Sequence, residues 1–214
     1  MNLYLQAAVI SMLLFVVGVV TIKSLDDYRL GVIKGEIDTL KTDIEDSKLF
    51  LLYSQTLGDN STLLCQALKT QIGQRIDKNQ GLIVNLQKYE EANVFGEEYY
   101  SLKTFFVLKN LELWLYTSNY KRLCNSDQVS ILYFYPDKAP CNECEVQANI
   151  LTEIRDKCLN VKVFALPVNV EMNLLNIIKT RYNITRTPTI VINEEIVKEG
   201  VTNEEALLGL VKCN

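Results

Sequence analysis

The chain has 214 residues, is 48% apolar and carries 22 Lys and Arg against 26 Asp and Glu, a formal net charge of −4. It holds six cysteines and no histidine, which excludes a Ser-His-Asp triad, a Cys-His dyad, His-ligated zinc and an imidazole pH switch. The acidic balance argues against a general nucleic-acid-binding surface, and the apolar fraction is too high for a disordered chain.

No charged side chain occurs from Met1 to Ile22, and Ala7–Ile22 is almost wholly apolar. At ~1.5 Å per residue the run Leu3–Ile22 is ~30 Å long, the thickness of a hydrocarbon core. Residues 1–23 are therefore predicted to form an uncleaved, single-span transmembrane helix. A buried globular helix of that length would show a polar stripe. A signal peptide would have a shorter apolar core of roughly 7–15 residues, a basic start and a small-residue cleavage site. Lys23, Arg29 and Lys34 follow the run, a weak charge signal for a cytoplasmic C-terminal side.

Residues 25–124 read as helices. Leu30, Ile33, Ile37, Leu40 and Ile44 are spaced alternately by three and four, the seam of a coiled-coil-like helix. Ser47 interrupts it before Leu51, and the seam offers a surface for a homodimer. Gly58-Asp59-Asn60 ends that helix, and Ser61 or Thr62 can cap the next, which carries Leu64, Leu68, Ile72 and Ile76 and continues to Leu86. Asn93–Gly96 is a break. A third helix, with Tyr99, Phe105, Phe106, Trp114 and Tyr116, runs to about Leu123, and its aromatics read as packing between helices. Midway between Cys65 and Cys124 lie residues 94 and 95, inside the break. In an antiparallel hairpin turning there, the two thiols come level at the open end, and a disulfide would staple it. Two unrelated buried thiols are the alternative.

From 128 to 214 the pattern changes to an α/β layer. Val129–Tyr135 is a β-rich apolar run, and Cys141-Asn142-Glu143-Cys144 opens a helix to about Lys157. A strand at Val161–Leu166, a helix over about Met172–Tyr182, strands at Thr189–Ile192 and Ile196–Lys198, and a helix over about Asn203–Lys212 follow. The order β-α-β-α-β-β-α predicts a mixed sheet. A zinc site would need about four ligands, and neither a second Cys-x-x-Cys nor a His is present to complete them. A strand instead delivers Cys141 to a helix N-terminus, where the macrodipole favours thiolate over thiol. Cys144 sits one turn on, within disulfide reach, so Cys141 is the expected nucleophile and Cys144 the buried resolving thiol.

On FYPDKAPCNEC and the later RYNITRTPTIVI, residues 129–212 resemble the thioredoxin-like superfamily. The fold class so implied is an α/β thioredoxin-like domain, preceded by the transmembrane helix and an α-helical hairpin and coiled-coil region. The resemblance implies a cis-proline facing the Cys-x-x-Cys, at Pro188, and a preceding residue that pairs with substrate backbone, at Thr187. The sequence departs from the thioredoxin pattern in three places. Pro140 replaces the Trp before the first cysteine, Asn142-Glu143 replaces Gly-Pro, and the buried Asp of the first strand has no clear counterpart in Ile131-Leu132-Tyr133-Phe134. These departures, and the absence of a leading β-α unit, argue against a cytosolic thioredoxin role. In the thioredoxin-like arrangement the helices ending at Cys158 and Cys213 share one face of the sheet and run the same way, which implies a structural Cys158–Cys213 bridge. Glu143 has two readings. Its carboxylate raises the thiol pKa and makes the pair less oxidising, or it is a solvated residue that only complements the helix dipole.

Three pairings use all six cysteines, and stable disulfides belong outside a reducing cytosol. That consideration outweighs the charge signal and predicts a single-pass membrane protein whose C-terminal domains lie on the extracytoplasmic side. The sequons Asn60-Ser61-Thr62 and Asn183-Ile184-Thr185 are compatible with export. The expected function is a membrane-anchored thiol–disulfide oxidoreductase acting on exported protein substrates, needing no cofactor, metal or nucleic acid. A membrane redox partner would reoxidise or reduce it, and the direction of electron flow stays open. The reading from another class is a redox-inert, thioredoxin-like tethering protein with structural disulfides.

Overall fold

The computed structural model describes residues 12, 13, 15–17, 20, 42, 44–56, 62–136 and 140–213. The chain divides into two compact units, Met1–Thr56 and Leu57–Asn214. In the first unit residues 44–56 are helical (α1), with Leu49, Leu52 and Tyr53 exposed and a surface pair between Lys48 and Glu45. The seam positions Leu30, Ile33, Ile37 and Leu40 lie outside the described residues.

The membrane expectation is corrected here. A span needs about 20 consecutive apolar helical residues, and among the described residues no helix is long and apolar enough to cross a membrane. The transmembrane helix expected at residues 1–23 is not supported, and neither is the single-pass membrane location drawn from it. Within that segment Met12, Leu13, Phe15, Val16, Val17 and Val20 are described, as exposed helical residues, and the remainder lies outside the described residues.

The second unit begins with two long helices, α2 (Thr62–Glu91) and α3 (Glu97–Cys124). Leu64, Leu68, Ile72, Arg75 and Asn79 recur every three or four residues on the buried face of α2, and Leu86 follows seven further on, as a helix packed on one side requires. The turn is a Schellman closure. Asn93 takes the left-handed conformation (φ 54°), Asn93 N–H donates to Glu90 C=O at 3.1 Å and Val94 N–H to Tyr89 C=O at 2.9 Å. At the open end Cys65 and Cys124 are joined, with Cα atoms 5.8 Å apart. The interior of the hairpin is polar as well as aromatic. The buried Arg75 guanidinium lies 4.0 Å from the Tyr116 ring centroid, donates to the Tyr116 hydroxyl at 3.0 Å and pairs with Glu112 at 3.3 Å. Tyr99 donates to Glu90 at 2.9 Å and accepts from Lys103 at 2.7 Å.

The sheet follows: β1 (Val129–Tyr135), α4 (Asn142–Lys157), β2 (Val161–Pro167), α5 (Asn173–Arg181), β3 (Thr189–Ile192), β4 (Ile196–Glu199) and α6 (Glu204–Val211). Strand order is β2-β1-β3-β4, with β1 parallel to β2 and β3 antiparallel to both β1 and β4. Val129, Ile131 and Tyr133 of β1, Ile190 and Ile192 of β3, Cys144, Leu151 and Ile154 of α4, and Leu207 and Val211 of α6 form one core. The alternate residues Leu132, Phe134, Phe164, Leu166 and Val191 are buried as well, so both faces of the central strands are covered.

One carboxylate ties the helical hairpin to the sheet. The β3–β4 turn places Asn193 (φ 52°) and Glu194 (φ 60°) in the left-handed region, closed by Glu195 N–H to Ile192 C=O at 3.1 Å. Two successive residues of positive φ in a hairpin turn ordinarily favour Asn-Gly. A Glu there costs about 1 kcal/mol of backbone strain. Its Oε1 accepts from Trp114 Nε1 at 2.6 Å, Ser118 Oγ at 3.0 Å and Ser130 Oγ at 2.7 Å, while Asn193 Oδ1 accepts from Lys121 at 2.7 Å. Three accepted bonds at about 1 kcal/mol each outweigh the strain. Glu194→Gly, which relieves the left-handed backbone, is therefore expected to destabilise the protein by about 2 kcal/mol in urea denaturation, whereas Glu194→Gln retains an acceptor and loses less. The Cys65–Cys124 bridge spans 59 residues, so the double variant Cys65→Ala/Cys124→Ala is expected to lose ~4 kcal/mol in the same measurement.

Candidate redox site

β1 ends at Tyr135 and the chain reaches α4 six residues later, at Cys141. Cys141 is the N-cap of α4. Its Sγ accepts from Cys144 N–H at 3.2 Å, and its carbonyl accepts from the N–H groups of Cys144 at 3.0 Å and Glu145 at 3.1 Å. A sulfur thus occupies the place where Ser or Asp oxygens usually satisfy the unpaired amides of a helix start. Cys141 and Cys144 are disulfide-bonded, with Cα atoms 5.1 Å apart. Cys141 is half-buried and Cys144 buried, so only the first sulfur is offered to a partner.

Two buried polar side chains hold the first turns of α4. Tyr133 of β1 donates its hydroxyl to the Cys144 carbonyl at 2.7 Å, and its ring stacks on Tyr135 at 5.4 Å. Burial, with a smaller contribution from Tyr135, pushes the Tyr133 phenol well above its usual range, so it stays a protonated donor. Gln147, fully buried, accepts from Thr202 N–H at 2.7 Å and fastens α4 to the segment leading into α6.

The sequence-predicted residues fall as follows. The Thr187–Pro188 peptide bond is cis, Pro188 is buried and Thr187 half-buried. Thr189, next along, pairs with Phe134 near the end of β1, which puts Thr187 and Pro188 at the sheet end that launches Cys141. Gly200 N–H donates to Pro188 C=O at 2.8 Å. Glu143 is exposed in the first turn of α4, as is Glu145. Cys158, buried just past α4, is joined to the exposed Cys213 just past α6, with Cα atoms 4.9 Å apart. The Lys157–Glu204 ion pair lies beside that bridge, and the Glu204 hydrogen bond holds the Lys157 ammonium above its usual range. The six cysteines thus form one short bridge at the N-terminus of α4 and two long-range ones.

Sequence reading missed Tyr133, Gln147 and Glu194. For Tyr133 a signal existed: it shares the core-facing period of Ile131, and a buried tyrosine needs a partner for its hydroxyl. Gln147 carried none, because its partner is a backbone amide 55 residues away.

No protein-family model matches the chain, and no curated protein matches it in sequence.

A half-exposed sulfur bridged to a buried one at a helix start can exchange. An incoming thiolate attacks Cys141 Sγ, the Sγ–Sγ bond breaks, and Cys144 leaves as the thiolate; the reverse sequence re-forms the bridge. Because the exposed Glu143 carboxylate opposes a thiolate beside it, Glu143→Gln is expected to raise the reduction potential of the pair. The rise should be on the order of 10 mV at low salt and smaller at high salt, measured by equilibration with glutathione.

Proposed function

We propose that this chain is a thiol–disulfide oxidoreductase of thioredoxin-like type, acting on cysteines of protein substrates through Cys141 and Cys144. The observation that carries the reading is the half-exposed Cys141 capping α4 with its disulfide partner buried one turn on. The succession of β1 and α4 and the mixed β2-β1-β3-β4 sheet support it. In the reducing direction the Cys141 thiolate attacks a substrate disulfide, expelling one substrate thiolate and forming a mixed disulfide. Cys144 thiolate then attacks Cys141 Sγ, releasing the second substrate thiolate and leaving the Cys141–Cys144 disulfide. The two electrons pass from the pair to the substrate. The oxidising direction is the reverse, and a separate redox partner resets the pair in either case. Thr187 and Pro188, at the same sheet end, would position the substrate segment.

Insulin reduction and reactivation of a scrambled disulfide protein test this with the full chain. Wild type is expected to turn over in one of the two assays and Cys141→Ser to lose at least 100-fold. Cys144→Ser should instead accumulate a mixed disulfide, visible by mass spectrometry. Equal rates for wild type and Cys141→Ser would leave the redox-inert tethering role.

A further inference from the structure

We propose that Tyr133 is a positioning residue of this site: by holding the Cys144 carbonyl it keeps the Cys144 amide aimed at Cys141 Sγ, and so favours the reduced pair. The proposal rests on the reading that Cys141 is the exchanging sulfur.

The chain of contacts is short. Tyr133 hydroxyl to Cys144 C=O is 2.7 Å, and Cys144 N–H to Cys141 Sγ is 3.2 Å. The same N–H lies 3.0 Å from the Cys141 carbonyl, so it is shared between an oxygen and the sulfur. A small rotation at Cys144 moves it from one acceptor to the other. In the disulfide, Cys141 Sγ is a weak acceptor; as a thiolate it becomes a strong, charge-assisted one. An amide held on that sulfur therefore stabilises the reduced state more than the oxidised one.

Tyr133 is suited to the holding role because its own backbone cannot move easily. It is paired with Ala165 of β2 and Ile190 of β3, and its ring is stacked on Tyr135. Its phenol, raised by burial, remains a donor across the pH range of thiol exchange. The carboxylates on the first turn of α4, Glu143 and Glu145, are exposed and do not contact the hydroxyl. The hydrogen bond that links Tyr133 to the pair is made to the Cys144 backbone.

The test uses the full chain and Tyr133→Phe, which keeps the ring and removes the donor. The reaction is the pair's equilibration with glutathione, in which two glutathione thiols supply the electrons and leave as glutathione disulfide. The constant is expected to shift about fivefold toward the Cys141–Cys144 disulfide. Alkylation of Cys141 by iodoacetamide in the reduced protein at neutral pH should slow severalfold. If Tyr133→Phe lowers the melting temperature but leaves both readouts unchanged, Tyr133 only packs and the proposal fails. Should that variant not fold, 3,5-difluorotyrosine at position 133, a stronger donor of nearly the same shape, is expected to move both readouts the opposite way; no movement would overturn the proposal equally. Neither readout needs a protein substrate. An inactive wild type with a shifted variant would thus sink the oxidoreductase reading and leave this one, and the converse would do the reverse.

Discussion

A strand hydrogen-bonded along both edges cannot slip in register without breaking two ladders at once, and β1 is in that position. It pairs in parallel with β2 over its whole length and antiparallel with β3 from Ile131 to Phe134. A one-residue slip would exchange its two faces. Ile131 and Tyr133 would leave the α4–α6 core, while Ser130 would leave the Glu194 carboxylate it bonds. That constraint fixes where Tyr135 ends and hence where Cys141 can start α4. The sulfur that caps the helix is thereby placed by a strand with no freedom to move, as a site built on rigid elements requires.

The helical hairpin depends on the same strand. α3 meets the sheet through Asn110, which donates to the Ala165 carbonyl of β2 at 3.2 Å, and through Trp114, Ser118 and Lys121, which bond the β3–β4 turn. These contacts satisfy one outer-strand carbonyl and anchor a turn whose backbone is disfavoured for Glu. They explain why Leu57–Asn214 is one compact unit, although the helices and the sheet occupy separate stretches of sequence. Buried polar groups cost stability unless bonded. The bonds of Asn110, Trp114, Ser118 and Lys121 cross between helix and sheet, so these polar groups also specify how the two layers meet.

What was legible in the residues is what local periodicity and turn chemistry encode. The three-and-four spacing of Leu64, Leu68 and Ile72 marks α2, Asn93 marks its end, and Val129–Tyr135 reads as a buried strand. Level placement of Cys65 and Cys124 follows from a turn at their midpoint, and the structure joins them. Long-range polar pairing was not legible. Glu194 looks like any turn carboxylate until three donors from two other elements converge on it, and Arg75 gives no local sign that it lies on Tyr116. The apolar run at the N-terminus shows the opposite failure. Hydropathy alone suggested a membrane span, but a span is a continuous helix of sufficient length, and no described helix has that length and apolarity.

The three bridges differ in what they do to the unfolded chain, and that difference sets how much stability each one holds. In the chain-entropy model, closing loops with separations of 59 and 55 residues removes ~4 kcal/mol of unfolded-state entropy each, whereas a separation of 3 removes under ~2 kcal/mol. Opening Cys65–Cys124 or Cys158–Cys213 therefore takes a large part of a typical domain's 5–15 kcal/mol. Opening Cys141–Cys144 takes much less, because α4 stays attached through the Tyr133 and Gln147 bonds and through the Cys158 bridge at its other end. A redox pair that cycles must change covalent state without unfolding the domain that presents it. The two long bridges and the two buried side chains supply stability that does not depend on the covalent state of the short bridge.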